Sequence, residues 1–450
     1  MQLRPAADFG ILPSMRWRFQ KGRAWNWAAL LLLAIPAATN GYTSGDYSYV
    51  VNWPEAYIPE YTGPFHYTIT GYSGAGGSVT IPQSFNDTMN WVTKIGAHSF
   101  QNQQTLRSVA NSYGVESIDQ YAFYNCGSLT NVTLPPYGAL SSIGAFAFQG
   151  TGLRKVEIAE FVEVIGEGAF SGCMSLTAIV VDAYSSYYSS TNGILFNKTN
   201  TALVQYPAGK QGVYAISEGV VTVEPFAFFG CRNLSGIAIG DSVRNIGNSG
   251  FSGCSGLMGI EIPDGVTAMG NYAFESCVGL TNAWVGNGVS TLYGTFSQCS
   301  NLTKAVLGRG ITNVSYSTFA YCPALTGAYF SGAAPTLSGT NWFAGATNAT
   351  VYRLPGAAGW PAVPGLWAGR PTALWLPETK ADESLGVQNG RFGFNINWAS
   401  GQTVVVEACT NLADPVWTPV GTNTFAGDST TFGDSEWANR PGRFYRLCLP

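Results

Sequence analysis

Apolar and polar positions repeat along the central part of this chain at intervals of 22 or 23 residues. Each repeat carries a phenylalanine, a cysteine three residues later and a leucine three residues after that. The phenylalanines of five consecutive repeats are Phe228, Phe251, Phe274, Phe296 and Phe319. A regular period of this length is typical of a solenoid, because each unit can bury its apolar face only against its neighbours.

Two shorter apolar patterns within each repeat indicate strands. Ile260 and Ile262 are two residues apart, which places both side chains on the same, inward face of a strand. Val266 and Met269 follow at a spacing of three, and Gly270 closes this pair, where a left-handed backbone is least costly for glycine. We therefore expect a mainly β fold, a right-handed solenoid of about eleven coils. At ~4.8 Å per coil, its concave sheet would span roughly 50 Å.

The repeat resembles the leucine-rich repeat of BspA-like bacterial surface proteins. The positions that carry the resemblance most fully are Ile246, Gly247, Phe251, Cys254, Leu257, Ile260, Ile262, Pro263 and Val266. The resemblance covers roughly residues 88–343 and continues more weakly to 375. It implies a leucine-rich-repeat scaffold in an exported bacterial protein, and such a scaffold specifies a fold more than a function.

The first 41 residues have the pattern of a signal peptide. A basic segment, with Arg16 and Arg23 at its ends, precedes an apolar run over 27–38. The run is shorter than the ~20 residues that cross a bilayer, and small residues follow it. We expect cleavage of 1–41 and a secreted or cell-surface chain with no transmembrane segment, the alternative being a single membrane anchor.

The pattern divides the following residues into a cap and a run of repeats. Residues 42–87 are expected to form an N-terminal cap, because a solenoid needs terminal units that cover its open ends. Repeats occupy 88–375, and their last part, 343–375, is expected to close the final coil. The phenylalanine spacing widens once to more than twice the period, and the pattern over 182–213 predicts a β-hairpin that enlarges one unit.

A change of pattern after the repeats predicts a second domain. Residues 376–390 are expected to be a linker, and 391–450 a small β-sandwich-like module. Phe392, Phe394 and Ile396 alternate with other residues as in a half-buried strand. The module resembles C-terminal modules of exported bacterial proteins, and that resemblance implies no activity.

Composition and charge exclude several classes of function. Charged residues make up 11% of the chain and the formal net charge is −4, which provides no basic surface for a phosphate backbone. The two histidines, His66 and His98, lie within strand or repeat patterns, and the carboxylates are scattered. We find no catalytic, metal-binding or cofactor-binding motif. We therefore predict a protein that is not an enzyme, needs no cofactor and binds no nucleic acid.

Seven of the nine cysteines occupy the same position of the repeat. Disulfide frameworks and metal sites require paired spacings, whereas one cysteine per coil produces a stacked column of parallel side chains. We expect free, buried thiols that behave as small apolar groups. Whether Cys409 and Cys448, both in the C-terminal module, pair with each other is left open by the sequence.

A candidate binding surface follows from the outward-facing strand positions. Residues between the buried positions of three consecutive coils are bulky and would lie side by side on the concave face, with a polar rim. The candidate binding residues are Glu261, Asn282, Trp284, Lys304, Val306 and Tyr329. An aromatic patch with a polar rim is typical of a recognition site, although bulky residues also favour strands for structural reasons alone.

These observations favour an exported, monomeric, non-catalytic binding or adhesion protein. Its partner would be an extracellular protein of a host, a matrix or a neighbouring cell, recognised on the concave face. One alternative is a protein that binds extracellular polysaccharide, with Trp284 and Tyr329 as stacking platforms. Another is a purely structural component of the cell envelope.

Overall fold

Short strands joined by tight turns wind through most of the chain. The computed structural model describes residues 41–52, 66–85, 91–134, 140–413, 415–439 and 442–450. The signal peptide expected at 1–41 lies outside these ranges except for Gly41. No helix within the described ranges has the length and apolar character needed to cross a membrane.

The strands fall into three groups along the chain. Those of the cap, the first coils and the insert are β1 (Tyr42–Ser44), β2 (Tyr47–Asn52), β3 (His66–Tyr72), β4 (Gly77–Thr80), β5 (Trp91–Ile95), β6 (Leu106–Ala110), β7 (Ser117–Ile118), β8 (Asn131–Thr133), β9 (Ser142–Ile143), β10 (Lys155–Ile158), β11 (Val164–Ile165), β12 (Ala178–Val181), β13 (Tyr188–Thr191), β14 (Ile194–Asn197) and β15 (Ala202–Gln205). Those of the later coils are β16 (Gly212–Ala215), β17 (Thr222–Val223), β18 (Leu234–Ala238), β19 (Asn245–Ile246), β20 (Gly259–Ile262), β21 (Ala268–Met269), β22 (Asn282–Val285), β23 (Thr291–Tyr293), β24 (Lys304–Leu307), β25 (Asn313–Ser315), β26 (Gly327–Phe330), β27 (Thr336–Leu337), β28 (Thr350–Arg353), β29 (Gly365–Trp367) and β30 (Arg370–Leu374). Those of the C-terminal module are β31 (Glu378–Thr379), β32 (Gly386–Gln388), β33 (Arg391–Asn397), β34 (Thr403–Cys409), β35 (Thr418–Thr424), β36 (Ser429–Asp434) and β37 (Phe444–Cys448), with one 3-10 turn at Trp437–Asn439.

Thirteen of the described strands follow one another along one side of the solenoid, which we call the long-strand face. They are β4, β6, β8, β10, β12, β16, β18, β20, β22, β24, β26, β28 and β30. Within each sheet of this face, neighbours one coil apart pair in parallel, as in the register Ile260–Ala283–Ala305. The predicted mainly β solenoid is confirmed. It has thirteen coils rather than the eleven expected, because β4 of the cap pairs in parallel with β6, and β30 with β28.

A column of stacked aromatic rings runs through the core. Neighbouring rings have centroids between 4.6 and 5.9 Å apart, and the rings of Phe251 and Phe274 are parallel at 5.0 Å. The column consists of Phe100, Phe123, Phe148 and Phe170 before the insert, and of Tyr206, Phe228, Phe251, Phe274, Phe296, Phe319 and Phe343 after it. Burial of each such ring contributes roughly 1.5–3 kcal/mol, so the column is a main source of cohesion between coils.

The insert forms a hairpin that divides this core. β14 pairs antiparallel with both β13 and β15, and β15 then pairs in parallel with β17 on the side opposite the long-strand face. Tyr206 is the next residue of the aromatic column and lies 36 residues after Phe170, so one coil is enlarged there and the column is interrupted. Buried apolar residues form two clusters as a result, with Leu195 in the first and Ile194 in the second.

An antiparallel sheet caps the N-terminal end of the solenoid. At the N-terminus, β1, β2 and β3 form an antiparallel sheet whose last strand pairs in parallel with β5. Tyr72 stacks on Phe100 at 5.0 Å, and Tyr47 approaches the same ring edge-on. The cap therefore covers the first ring of the aromatic column.

The C-terminal module consists of two antiparallel sheets. One contains β31, β32, β33 and β36, and the other contains β34 between β35 and β37. Residues 376–390, expected as a linker, supply β31 and β32, which both pair with β33. Apolar side chains from the module, such as Phe394, Ile396 and Phe432, share a cluster with Leu354 of the solenoid. The module therefore packs directly on the last coils.

All nine cysteines are free thiols. The seven repeat cysteines are buried, in agreement with the prediction. In the module, Cys409 lies opposite Phe444, whereas Cys448 lies opposite Val405 on the same strand pair. The two cysteines that the sequence left open thus sit at opposite ends of the pairing and form no disulfide.

Candidate functional site

Parallel register brings the predicted outward-facing residues into one row on the long-strand face. Glu261 pairs with Trp284, Trp284 with Val306, and Val306 with Tyr329. Their strands keep this alignment because the residues on either side, such as Ala283 in β22, are buried in the core. The row spans four coils, from β20 to β26.

Two predicted rim residues lie in the neighbouring row, where Asn282 pairs with Lys304. Lys304 directs its ammonium group over the ring of Tyr329, with Nζ 4.9 Å from the ring centroid. The amide of Asn282 instead donates a hydrogen bond to the hydroxyl of Thr281 at 3.1 Å. Lys304 therefore contacts the row of Glu261, Trp284, Val306 and Tyr329, which we call the aromatic row, whereas Asn282 bonds to the residue next to it in the chain.

The aromatic row is covered on one side by the C-terminal module. A cleft of about 990 Å³ lies between them and is lined by five of the six candidate residues, all except Asn282. Its floor is formed by β18, β20, β22, β24 and β26, and its roof by the turns at 397–400 and 426–428 of the module. Trp284, Val306 and Tyr329 are consequently half-buried, and the open surface expected from the sequence is instead a cleft.

The roof is fixed by contacts at the junction between solenoid and module. Trp398 is buried and donates its indole N–H to the backbone carbonyl of Trp375 at 2.8 Å. Trp375 in turn donates its backbone N–H to the carbonyl of Arg353 in the preceding coil. No sequence pattern signals this arrangement, because the floor ends at Phe330, the roof begins only at Asn397, and the two share no periodicity.

Both faces of the Tyr329 ring are occupied. Tyr352 stacks on it at 4.4 Å with an interplanar angle of 6°, and Trp375 meets it edge-on at 5.1 Å. Since Tyr352 comes from β28 and Lys304 from β24, they approach the ring from opposite sides of β26. Burial, together with nearby Tyr352 and Glu378, raises the pKa of the Tyr329 hydroxyl.

Trp284 differs from Tyr329 in this respect. Among the described residues, no other aromatic ring stacks on Trp284 or meets it edge-on. Its direct neighbours in the row are the exposed carboxylate Glu261 and the aliphatic Val306. Of the two rings in the row, the indole of Trp284 is thus the one that remains available for a ligand.

Carboxylates from both floor and roof line the cleft. Asp241, Glu261 and Asp264 come from the floor, Glu378 from the junction and Asp428 from the roof. Asp264 accepts hydrogen bonds from the backbone N–H of Asn287 at 2.7 Å and from its side-chain amide. These bonds hold the pKa of Asp264 below its usual value, so this carboxylate stays charged.

The two histidines, His66 and His98, are both described and do not line the cleft. His98 is exposed, stacks on Tyr121 at 5.1 Å and hydrogen-bonds through Nδ1 to Gln101. Within the described ranges, no group of three or more histidine, cysteine, aspartate or glutamate side chains is arranged as a metal site. The cleft thus presents two aromatic rings, an aliphatic side chain and a carboxylate in one row, with Lys304 beside them.

Comparison with solved structures finds bacterial proteins that are similar to this chain. A leucine-rich repeat protein from Eubacterium ventriosum is 21% identical over 72% of this chain and 97% of that chain, with a TM-score of 0.50. A leucine rich cell surface protein from Faecalibacterium prausnitzii is 22% identical over 70% of this chain and 95% of that chain, with a TM-score of 0.36. No curated protein matches the chain.

The repeats themselves match a defined family. Six copies of the BspA type leucine rich repeat region are found over residues 93–215 and 221–349, which together make up more than half of the chain. The match covers the coils that carry the aromatic column and the buried thiols, and it confirms the resemblance seen in the repeat pattern. The chain therefore belongs to the family of BspA-type leucine-rich repeat proteins.

Proposed function

We propose that this protein is an exported, non-catalytic binding protein of the bacterial cell surface, which holds a macromolecular partner in the cleft between its long-strand face and its C-terminal module. The observation that carries the proposal is the row of Glu261, Trp284, Val306 and Tyr329, in register within a cleft of about 990 Å³. Membership of a leucine-rich-repeat family supports a binding or adhesion role, since such scaffolds present extended surfaces to partners.

The composition of the row supports recognition rather than structure alone. Aromatic side chains in partly desolvated pockets dominate the energy of most protein interfaces. Trp284 is half-buried without an aromatic partner among the described residues, and it faces the roof rather than the core. A ring with a purely structural role would be packed on both sides, as Tyr329 is.

A binding screen tests this proposal. The chain from Tyr42 onwards is applied to arrays of extracellular matrix proteins and of polysaccharides, beside a Trp284→Ala/Tyr329→Ala variant. Tyr113→Ala serves as the matched control, because Tyr113 is 70% exposed and lies outside the cleft. We expect a protein ligand that the double variant loses and the control retains.

Other outcomes of the screen distinguish the alternatives. A polysaccharide ligand lost in the double variant would favour a glycan-binding protein, for which the open ring of Trp284 offers a stacking surface. A ligand bound equally by all three chains would place recognition outside the cleft. Absence of binding on both arrays would favour a structural component of the cell envelope and would overturn the proposal.

A further inference from the structure

We infer that the cleft recognises a basic, extended polypeptide segment, one of whose lysine or arginine side chains lies on the indole of Trp284. This inference rests on the proposed function of the same site and specifies the chemistry of its ligand. It follows from three properties of the lining: its charge, the state of its aromatic rings and its length.

The charge of the cleft is strongly one-sided. Five carboxylates line it, against Lys304 as the cation among the described lining residues. None of the five forms an ion pair within the described part of the chain, where the pairs found involve other residues. Unpaired carboxylates that converge from floor and roof create a negative potential in a partly enclosed space, which attracts a cationic partner.

The aromatic rings show how a cation would be held. Lys304 already lies over Tyr329 at 4.9 Å, so one cation–π contact is built into the floor. Trp284, two coils away, is the better ring for such a contact and is open. Glu261 lies next to Trp284 in the row, so an ammonium or guanidinium group on the indole would also meet a carboxylate.

The same rings disfavour a sugar chain as the main ligand. Sugars bind aromatic platforms through an open ring face, and the two faces of Tyr329 are covered by Tyr352 and Lys304. Of the two aromatic rings in the row, that of Trp284 is left, and one such platform among five carboxylates suits a cation better than a neutral sugar. The floor spans five strands, roughly 20 Å, which corresponds to about six residues of an extended polypeptide.

Binding of short labelled peptides tests the inference. The probe is a fluorescein-labelled peptide of about eight residues that alternates arginine and serine, compared with its glutamate–serine counterpart and a neutral oligosaccharide. Fluorescence anisotropy is measured with the chain from Tyr42 onwards at low and moderate salt. We expect the basic peptide alone to bind, with an affinity that falls as salt rises because exposed charges are screened.

Variants then locate the contact. Glu261→Gln/Asp428→Asn, which removes one charge from the floor and one from the roof, and Trp284→Leu should each weaken binding by about tenfold. Trp284→Phe should retain part of the affinity, because a ring remains. Glu157→Gln is the matched control, since Glu157 is exposed on β10 outside the cleft, and it should change the affinity less than about twofold.

The outcomes separate this inference from the proposed function. Equal binding of the acidic peptide, preferential binding of the oligosaccharide, or an affinity unchanged in Glu261→Gln/Asp428→Asn would overturn the inference. If the array ligand is still lost in Trp284→Ala/Tyr329→Ala while the basic peptide fails to bind, the cleft is a binding site for another class of ligand. If substitution of Trp284 changes neither the binding of the array ligand nor the affinity for the basic peptide, both proposals are wrong.

Discussion

The thiol of Cys254 donates a hydrogen bond to the backbone carbonyl of Phe228 in the preceding coil, with its Sγ 3.2 Å from the oxygen. The same bond, at 2.9 to 3.2 Å, joins Cys126 to Phe100, Cys173 to Phe148, Cys277 to Phe251, Cys299 to Phe274 and Cys322 to Phe296. Cysteine fits this position because it combines apolar volume with a weak donor. The column of thiols thus links consecutive coils next to the column of rings.

Replacing one repeat cysteine should therefore destabilise the solenoid. We expect Cys254→Ala to lower the free energy of unfolding by roughly 1–2 kcal/mol, because it leaves a small cavity and removes a donor between coils. Urea unfolding followed by circular dichroism measures the change. Cys448→Ala is the control, since Cys448 is only partly buried in the module. An unfolding curve for Cys254→Ala that matches the wild type would show that the thiol contributes nothing to packing.

Thiol reactivity should distinguish the column from the module. Burial raises the pKa of Cys126 and Cys173 to about 11 and that of Cys322 to about 12, and the thiolate is the reactive form. At pH 8 these groups stay protonated and inaccessible, whereas Cys448 is partly exposed. We expect a disulfide reagent to modify Cys448 rapidly in the folded chain and the buried column only after unfolding.

The rate at which Cys448 is labelled should also increase with pH. A hydrogen bond to Glu407 raises the pKa of Cys448, so its thiolate fraction, and with it the rate of labelling, should increase as pH rises from 7 to 9. Cys448→Ser should abolish the rapid phase. Rapid labelling of several thiols per folded chain would contradict the prediction, because it would require the coils to open.

Removal of the module should leave the coils folded and weaken their last turns. A chain that ends at Pro377 retains the whole aromatic column, which ends at Phe343. It uncovers Leu354, whose burial contributes roughly 1.5–3 kcal/mol. We expect an unchanged β signal in circular dichroism, a lower melting temperature and increased binding of an apolar dye. Loss of the β signal would instead show that the coils cannot fold without the module.

A buried ion pair should govern the stability of the module. Arg443 pairs with Asp434, their side chains are 9% and 5% exposed, and the Tyr445 hydroxyl donates to the same carboxylate at 2.8 Å. Arg443→Met leaves a buried charge without its partner and should cost about 3–5 kcal/mol. Arg446→Met is the control, because the Arg446 side chain is 48% exposed and solvent screens its pair with Glu407, so the loss should be much smaller. Equal losses in thermal unfolding would disprove the distinction.

The sequence predicted the parts of this molecule that local spacing controls. The period of the phenylalanines fixes the coil, and parallel register then places Trp284 beside Val306 and Val306 beside Tyr329. The sequence did not predict that Tyr206 continues the column of aromatic rings within the insert, because the enlarged coil breaks the period and the ring there is a tyrosine.

The cover over the site could not be predicted from the sequence. The roof depends on contacts such as the hydrogen bond from Trp398 to Trp375 and the burial of Leu354 by the module. These contacts join residues without a common repeat, and the intervening segment, which looks like a linker, is drawn into the module as β31 and β32. The patch that the repeat pattern predicts to be open is therefore covered on one side in three dimensions.

The interruption of the ring column at the insert has a consequence for evolution. Coils before the insert have an apolar cluster of their own, and the described residues that line the cleft all come after the insert in the chain. Coils could therefore be gained or lost between the cap and the insert, at ~4.8 Å each, without displacing Trp284 from the roof above it. The N-terminal half would act as a spacer of adjustable length, so that reach and recognition can change independently.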